Sequence, residues 1–252
     1  MELPAKELTR FKSHPRSCSY LPSETTSLEY RIFALMGSSQ YGELVRRGWR
    51  RHGCHFFRPQ CPACRECRSL RVLVDEFRPS RSQRKTLSRN ADVSVTVQRP
   101  TITADHIRVY NAYHADMAVR RGWKDHQTDP EDYENAFLVG IWPFAHEILY
   151  RRDGELIGVG LVDIIEDALS SVYFFHDPSW RAEGPGTFSI LQEIAFCRRS
   201  GLRYNYLGYW ISGCQSMSYK ANFAPHEILQ QYVGQDEEPV WSRPADSPTT
   251  RS

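Results

Sequence analysis

The run from Ile148 to Leu207 constrains the fold more than any other part of this 252-residue chain. Two apolar-rich segments, Ile148–Arg151 and Glu155–Val162, flank Asp153-Gly154. Asp-Gly supplies the two positive-φ positions of a two-residue hairpin. A third strand-like segment, Ser170–Phe175, follows closely and extends the hairpin into a meander. The hydrophobic period then changes. Over Gly186–Arg199, residues Phe188, Leu191, Ile194 and Ala195 share one helical face, and Gly201 stops the helix. Leu202–Leu207 returns to a strand. Meander, glycine-rich turn, helix and strand make the second half an α/β (α+β) unit, a mixed sheet flanked by helices.

The first half reads in shorter pieces. Leu28–Leu35 alternates through Leu28, Tyr30 and Ile32 as a strand, and Ser38 or Ser39 caps a helix running to Arg47. Gly48 and Gly53 bracket a strand-like stretch ending at Phe56, Phe57, Arg58 and Pro59. Leu70–Val74 alternates again, Ser80 caps a basic helix to about Ser88, and Val93, Val95 and Val97 mark the next strand. Beyond Pro100, a helix from Ala104 to Arg121 ends at Gly122, and Asp129-Pro130-Glu131 starts another. Residues 1–26 read as an irregular lead-in. From Gly234 onward, Pro239, Pro244, Pro248 and scattered small polar residues read as a disordered tail. The expected organisation is an N-terminal subdomain over 1–100 with the cysteines and the basic helix, a second subdomain over 101–233, and the tail 234–252.

The net charge of +2 hides a split. Residues 1–100 carry 19 basic and 9 acidic side chains, residues 101–252 carry 13 and 21, and residues 44–90 alone carry 13 and 3. Such asymmetry points to an anionic partner, with nucleic acid prominent, or else to a solvated basic face. Arg makes up 27 of the 32 basic residues, which favours forked contacts to phosphate or carboxylate. No apolar run approaches the ~20 residues of a membrane helix. Met1–Ser17 has basic residues without an apolar stretch, so a cytoplasmic location is expected. Seven cysteines then read as reduced thiols or metal ligands rather than a disulfide framework.

Cys61, Cys64 and Cys67, each pair separated by two intervening residues, are the most specific chemical signal. They place three soft ligands on one loop, as in iron–sulfur runs, but both a cluster and a structural zinc take four. The fourth must come from Cys18, Cys54 or His52. Free thiols in a compact loop are the alternative. Cys197 and Cys214 read as small buried residues. In the basic helix, Arg81, Lys85 and Arg89 share a face, and Ser80, Arg81 and Ser82 sit at its start, where free N–H groups favour an anion.

These residues resemble the N-terminal half of the aminoacyl-tRNA–protein transferases. The resemblance runs from Arg58 through Cys61, Cys64, Cys67, Arg71 and Val72, and continues through Phe77, Arg78, Pro79, Ser80, Arg81, Ser82, Gln83 and Arg84. Cys18-Ser19-Tyr20-Leu21-Pro22 resembles the family's opening motif. Tyr173 to Pro178, then Tyr206 to Ile211, Cys214, Met217, Tyr219, Lys220, Phe223, Pro225 and Glu227 resemble its second half. The match spans about residues 14–231, and its details resemble the bacterial branch, the aspartate/glutamate leucyltransferases, related to arginyltransferases.

The resemblance implies an acetyltransferase-like (GNAT-type) fold, in keeping with the strand order. It also implies transfer of an aminoacyl group, leucyl in the bacterial branch, from charged tRNA to the α-amine of proteins beginning with Asp or Glu, routing them to N-degron proteolysis. It links Cys18 with Cys61, Cys64 and Cys67 as a possible cluster or zinc set. Two departures stand out: Leu21 replaces a second cysteine of the opening motif, and Arg181–Gly186 reads like the pyrophosphate loop of acetyl-CoA enzymes.

Aminolysis of an activated ester requires positioning, removal of a proton and support of an oxyanion, and no cofactor. The residues assigned to these tasks are Asp177 as base or relay, Tyr209 and Tyr219 as oxyanion donors or stacking platforms, and Arg81, Gln83, Arg84 and Lys220 for the acidic substrate. The competing readings are an arginyl donor, an acetyl-CoA-dependent N-acetyltransferase, and a non-enzymatic RNA- or metal-binding module.

Overall fold

A computed structural model describes residues 4–124 and 127–244. In chain order the elements are β1 (Lys6–Lys12), β2 (Arg16–Ser17), β3 (Thr25–Thr26), β4 (Leu28–Leu35), α1 (Ser38–Arg46), β5 (Arg50–His52), β6 (His55–Pro59), β7 (Arg68–Leu73), α2 (Arg81–Arg89) and β8 (Ser94–Gln98). They continue with α3 (Ala104–Arg121), α4 (Pro130–Phe137), β9 (Ala145–Arg152), β10 (Glu155–Ile165), β11 (Ala168–His176), α5 (Pro185–Arg199), β12 (Tyr204–Trp210), α6 (Gln215–Ser218), β13 (His226–Leu229) and β14 (Trp241–Ser242). Short 3₁₀ turns at Pro178–Glu183 and Tyr219–Asn222 precede α5 and follow α6.

The meander forms as its turn residues dictate. Asp153 and Gly154 have φ of 51° and 86° and join β9 to β10. β10 is buried along nearly its whole length, so its sequence reads as a continuous apolar run rather than an alternation. The large sheet has the order β14-β13-β7-β12-β11-β10-β9-β8, and a smaller one has the order β1-β4-β6-β5. α5 packs over β11 and β12 with α2 beside it, and α3 packs over β10 and β11. One apolar cluster joins β7, Trp180 and the buried side of α5, including Phe188, Leu191 and Ile194. A second, around Tyr41, Phe56 and Phe144, joins the small sheet to the large one.

Three expectations change. The lead-in contains β1, paired antiparallel with β4. All seven of its residues are exposed, so no alternation betrays it. The division at residue 100 is no structural boundary, since β7 and β8 lie in the same sheet as the second-half strands. The start of the tail is docked. Trp241 pairs with Leu229, donates its indole N–H to the Arg46 carbonyl at 3.1 Å, and packs on Tyr206. Residues 245–252 lie outside the described residues. No helix among the described residues is long and apolar enough to cross a membrane.

Candidate active site

The site begins where two parallel strands part. β11 and β12 pair only over Ala168–Ser170 and Tyr204–Tyr206. Both strands continue, to His176 and Trp210, so a wedge opens between them. On the far side β12 is held to β7, with a register shift between Tyr206 and Gly208. Strand edges that lose their ladder partner need new ones.

Arg50, from β5, enters this wedge. Its guanidinium donates to Ser170 Oγ at 2.9 Å and to the Ser171 carbonyl, replacing part of the missing ladder. Gly208 permits the approach: its φ is +78°, and a Cβ there would lie 3.1 Å from Arg50 Cζ. Behind Arg50, Arg51 is buried and paired through both nitrogens with buried Asp163 of β10, Nε to Oδ2 at 3.0 Å. That pair fixes the small sheet against the large one.

The turn after α6 closes the wedge from above. Lys220 donates from Nζ to the Tyr209 carbonyl at 2.7 Å and to Met217 Sδ at 3.4 Å. Burial, with the nearby Arg50 charge, brings its pKa down to about 7. Tyr219 is 40% exposed. Below lies Glu193 of α5, a buried carboxylate with its pKa raised by burial. It accepts from Ser171 Oγ at 2.6 Å and Asn205 Nδ2 at 3.0 Å. Ser189 Oγ is 3.5 Å away and in turn accepts from the Tyr150 hydroxyl at 3.0 Å.

The residues singled out in the sequence fall into three groups. Lys220 and Tyr219 sit at the wedge. Gln83 points into the fold. It is buried, completes a capping box with Ser80, and donates from Nε2 to the Asn222 carbonyl at 3.0 Å, tying the start of α2 to the Lys220 turn. Arg81 and Arg84 lie exposed on that first turn, and Arg84 also donates to the Pro79 carbonyl at 2.6 Å.

Two of the residues assigned catalytic roles have structural engagements. The Tyr209 hydroxyl lies 3.1 Å from both the Gly48 and Phe57 carbonyls, so it is engaged in holding the two sheets together. Asp177 caps the 3₁₀ turn, accepting from Ser179 N at 3.0 Å and Ser179 Oγ at 2.7 Å, and pairs with Arg108 at 3.2 Å. Burial pushes its pKa up, but the Ser179 hydrogen bonds and Arg108 outweigh that and hold it low, the opposite of what a base near neutrality needs. Arg50 and Glu193 were not among the sequence candidates. The one available signal was that Glu193 is the sole acid in α5.

The cysteine sulfurs are close-knit. Burial, reinforced by the neighbouring sulfurs of Cys61, Cys18, Cys64 and Cys214, pushes the Cys67 thiol up to about 12. Cys61 Sγ faces the Ser27 carbonyl at 3.7 Å, and Cys18 Sγ accepts from Tyr20 N at 3.4 Å. Among the described residues, no three His, Cys, Asp or Glu side chains converge to hold a metal ion. Cys54 lies apart beside His55, and His52 stacks on Phe137. Cys61, Cys64, Cys67, Arg65 and Arg68 instead line a cavity of about 460 Å³.

The basic stretch is partly spent inside the molecule. Arg46, Arg51 and Arg71 pair with Glu238, Asp163 and Glu227 of the second half. Arg181 of the pyrophosphate-like turn is committed to Asp116. Gly184 packs near Thr86, and the Glu183 carbonyl accepts from Asn90. That turn is thus closed by α2, which weighs against a CoA site there.

Residues 16–85 match the family model for the N terminus of arginine-tRNA-protein transferase, and residues 105–230 match that for its C terminus. The chain belongs to the aminoacyl-tRNA–protein transferase family. It is 39% identical to the aspartate/glutamate leucyltransferase of Helicobacter hepaticus over 93% of this chain and 97% of that one. It is 37% identical to the enzyme of that name from Pseudomonas fluorescens, over 88% and 95% respectively. Among solved structures it is similar to L-PGS from Bacillus licheniformis (TM-score 0.46, 11% identity, 78% of this chain and 69% of that one). It is also similar to FemX (TM-score 0.43, 8% identity, 81% and 79%). As a member of this transferase family, the chain is an enzyme of tRNA-dependent aminoacyl transfer.

Proposed function

We propose that this transferase moves a leucyl group from Leu-tRNA to the α-amine of proteins beginning with Asp or Glu, marking them for N-degron proteolysis. The observation that carries the reading is the opened β11/β12 wedge, closed by Lys220 above and plugged by Arg50, together with the leucyltransferase names of the relatives. An extended acceptor segment fits along a strand edge that has lost its partner. The ester of charged tRNA is already activated, so attack needs no covalent enzyme intermediate. An N-terminal amine has a pKa of ~7.7–8.0, so part of it is neutral at physiological pH. The Arg50 guanidinium, and Lys220 in its protonated form, supply charge for the developing oxyanion. Arg81 and Arg84, on the turn that Gln83 ties to Asn222, grip the acidic side chain of the acceptor.

Purified protein with labelled Leu-tRNA and peptides beginning with Asp, Glu or their amides tests this. Label appears on the acidic peptides, and Arg81→Ala or Arg84→Ala lowers the acidic-over-amide preference. Transfer only from acetyl-CoA, or RNA binding without transfer, refutes the reading. Substituting Arg-tRNA decides the donor.

A further inference from the structure

Glu193 is a buried carboxylate without a contacting cation among the described residues, and the stability it costs calls for an explanation. Burying an ion away from a paired charge costs several kcal/mol. An apolar residue or a glutamine would fill the same place in α5 without that cost. Instead, side chains from three elements point hydrogen-bond donors at it: Ser171 of β11, Asn205 of β12 and Ser189 of α5 itself. Ser171 is the informative partner. It is the first residue of β11 beyond the last one paired with β12, and it is half-buried between the wedge and the Glu193 carboxylate.

We propose that Ser171 is a catalytic residue that takes a proton from the attacking α-ammonium and relays it to Glu193. The inference rests on the aminoacyl-transfer reading above. The Ser171 hydroxyl donates to Glu193 Oε2, which leaves its oxygen lone pairs to accept an N–H from the wedge. One proton passes from the ammonium nitrogen to Ser171 Oγ as the Ser171 proton passes to Glu193. The freed nitrogen pair forms the C–N bond at the ester carbonyl carbon, whose oxygen takes the negative charge. Collapse re-forms the carbonyl and breaks the bond to the ribose oxygen, which leaves with the second proton from nitrogen. Glu193 returns its proton to solvent through Ser171 once the products have gone.

The surroundings suit this role. Arg50 from β5 keeps the ionised form accessible, while burial holds the carboxyl above the usual glutamate range. Tyr150 from β9, Cys197 from the next turn of α5 and Tyr219 from the overlying turn also feel the Glu193 charge. Burial pushes the Tyr150 hydroxyl and the Cys197 thiol well up, so both stay protonated across the working range. Lys220, at about 7, is the other group at the wedge that titrates there.

The test is the pH profile, from 5.5 to 9, of leucyl transfer to an Asp-initial peptide by the wild type and by Glu193→Gln, Glu193→Asp and Ser171→Ala. Glu193→Gln is expected to lower kcat by about 10²-fold at pH 6–7, with KM for Leu-tRNA within threefold. The deficit shrinks as pH passes the amine pKa of ~8, because the acceptor then arrives neutral. Ser171→Ala matches it, the double variant is no worse than either single one, and Glu193→Asp recovers part of the rate. Circular dichroism melts and Leu-tRNA binding confirm that each variant is folded. A folded Glu193→Gln with kcat within threefold of wild type overturns the proposal, as does a loss equal at every pH with KM raised. A wild type that transfers from no aminoacyl-tRNA removes the functional reading first, and this inference with it.

Discussion

Replacing Lys220 by methionine removes an ammonium whose surroundings disfavour its charge. In the folded protein burial and Arg50 bring its pKa to about 7, against ~10.4 for an unfolded lysine. Between those values the unfolded chain binds the extra proton. The Lys220 contribution to stability is therefore unfavourable, largest below pH 7, and fades as pH rises toward 10. One proton corresponds to ~1.36 kcal/mol per pH unit, and the curve flattens near each pKa. From pH 7.5 to pH 9.5 the wild type should thus gain about 2–3 kcal/mol relative to Lys220→Met. At pH 7.5 the variant loses a hydrogen bond to the Tyr209 carbonyl, worth about 1 kcal/mol, but escapes the larger charge penalty. It should be at least as stable there while transferring poorly. Urea unfolding followed by tryptophan fluorescence at both pH values measures the difference, and other titrating groups cancel between the two proteins. Parallel stability curves would mean that Nζ is solvated and charged in the folded state, and the wedge geometry would be wrong.

Gly208→Ala places a Cβ at φ +78° and 3.1 Å from Arg50 Cζ, so the backbone is strained and Arg50 must shift by a few tenths of an ångström against Ser170. A loss of about 1–2 kcal/mol in thermal unfolding and at least tenfold in transfer is expected, and full activity would show that Arg50 is dispensable. Asp163→Asn strands buried Arg51 and should cost about 3–5 kcal/mol in urea unfolding; a cost under 1 kcal/mol would mean that the pair is solvated. Asp177→Ala removes a cap worth about 1 kcal/mol and should leave transfer within threefold, whereas a hundredfold loss would restore Asp177 as a base.

Features written in neighbouring residues were legible beforehand. The Asp153-Gly154 hairpin, the Ser80 cap of α2 and the Gly122 stop of α3 each depend on a few adjacent side chains. A sequence motif also singles out Lys220 and Tyr219, which the structure places on the turn over the β11/β12 wedge. What it cannot display is where the β11–β12 ladder ends, because that depends on residues more than thirty apart. Arg50 and Glu193 acquire meaning only through that ending. Gln83 and Tyr209 misled for the same reason: their polar groups are satisfied by Asn222, Gly48 and Phe57, all distant in sequence. β14 was hidden because proline and small polar residues surround Trp241, whose anchoring partners, Arg46 and Tyr206, are far upstream.

β7 lies between β12 and β13. A strand made in the first third of synthesis thus has no ladder neighbour on either side until residues after 203 exist. The sheet is completed from its middle, and the Lys220 turn is drawn tight only when β13 reaches β7. During translation the enzyme therefore cannot assemble its wedge until nearly the whole chain has emerged, and a ribosome-bound fragment ending before β12 offers no partial transferase. Pairing across such sequence distances makes for slow folding. It also makes the two halves of this chain inseparable: expressed as two pieces, each would present an unpaired strand edge that only the other could cover.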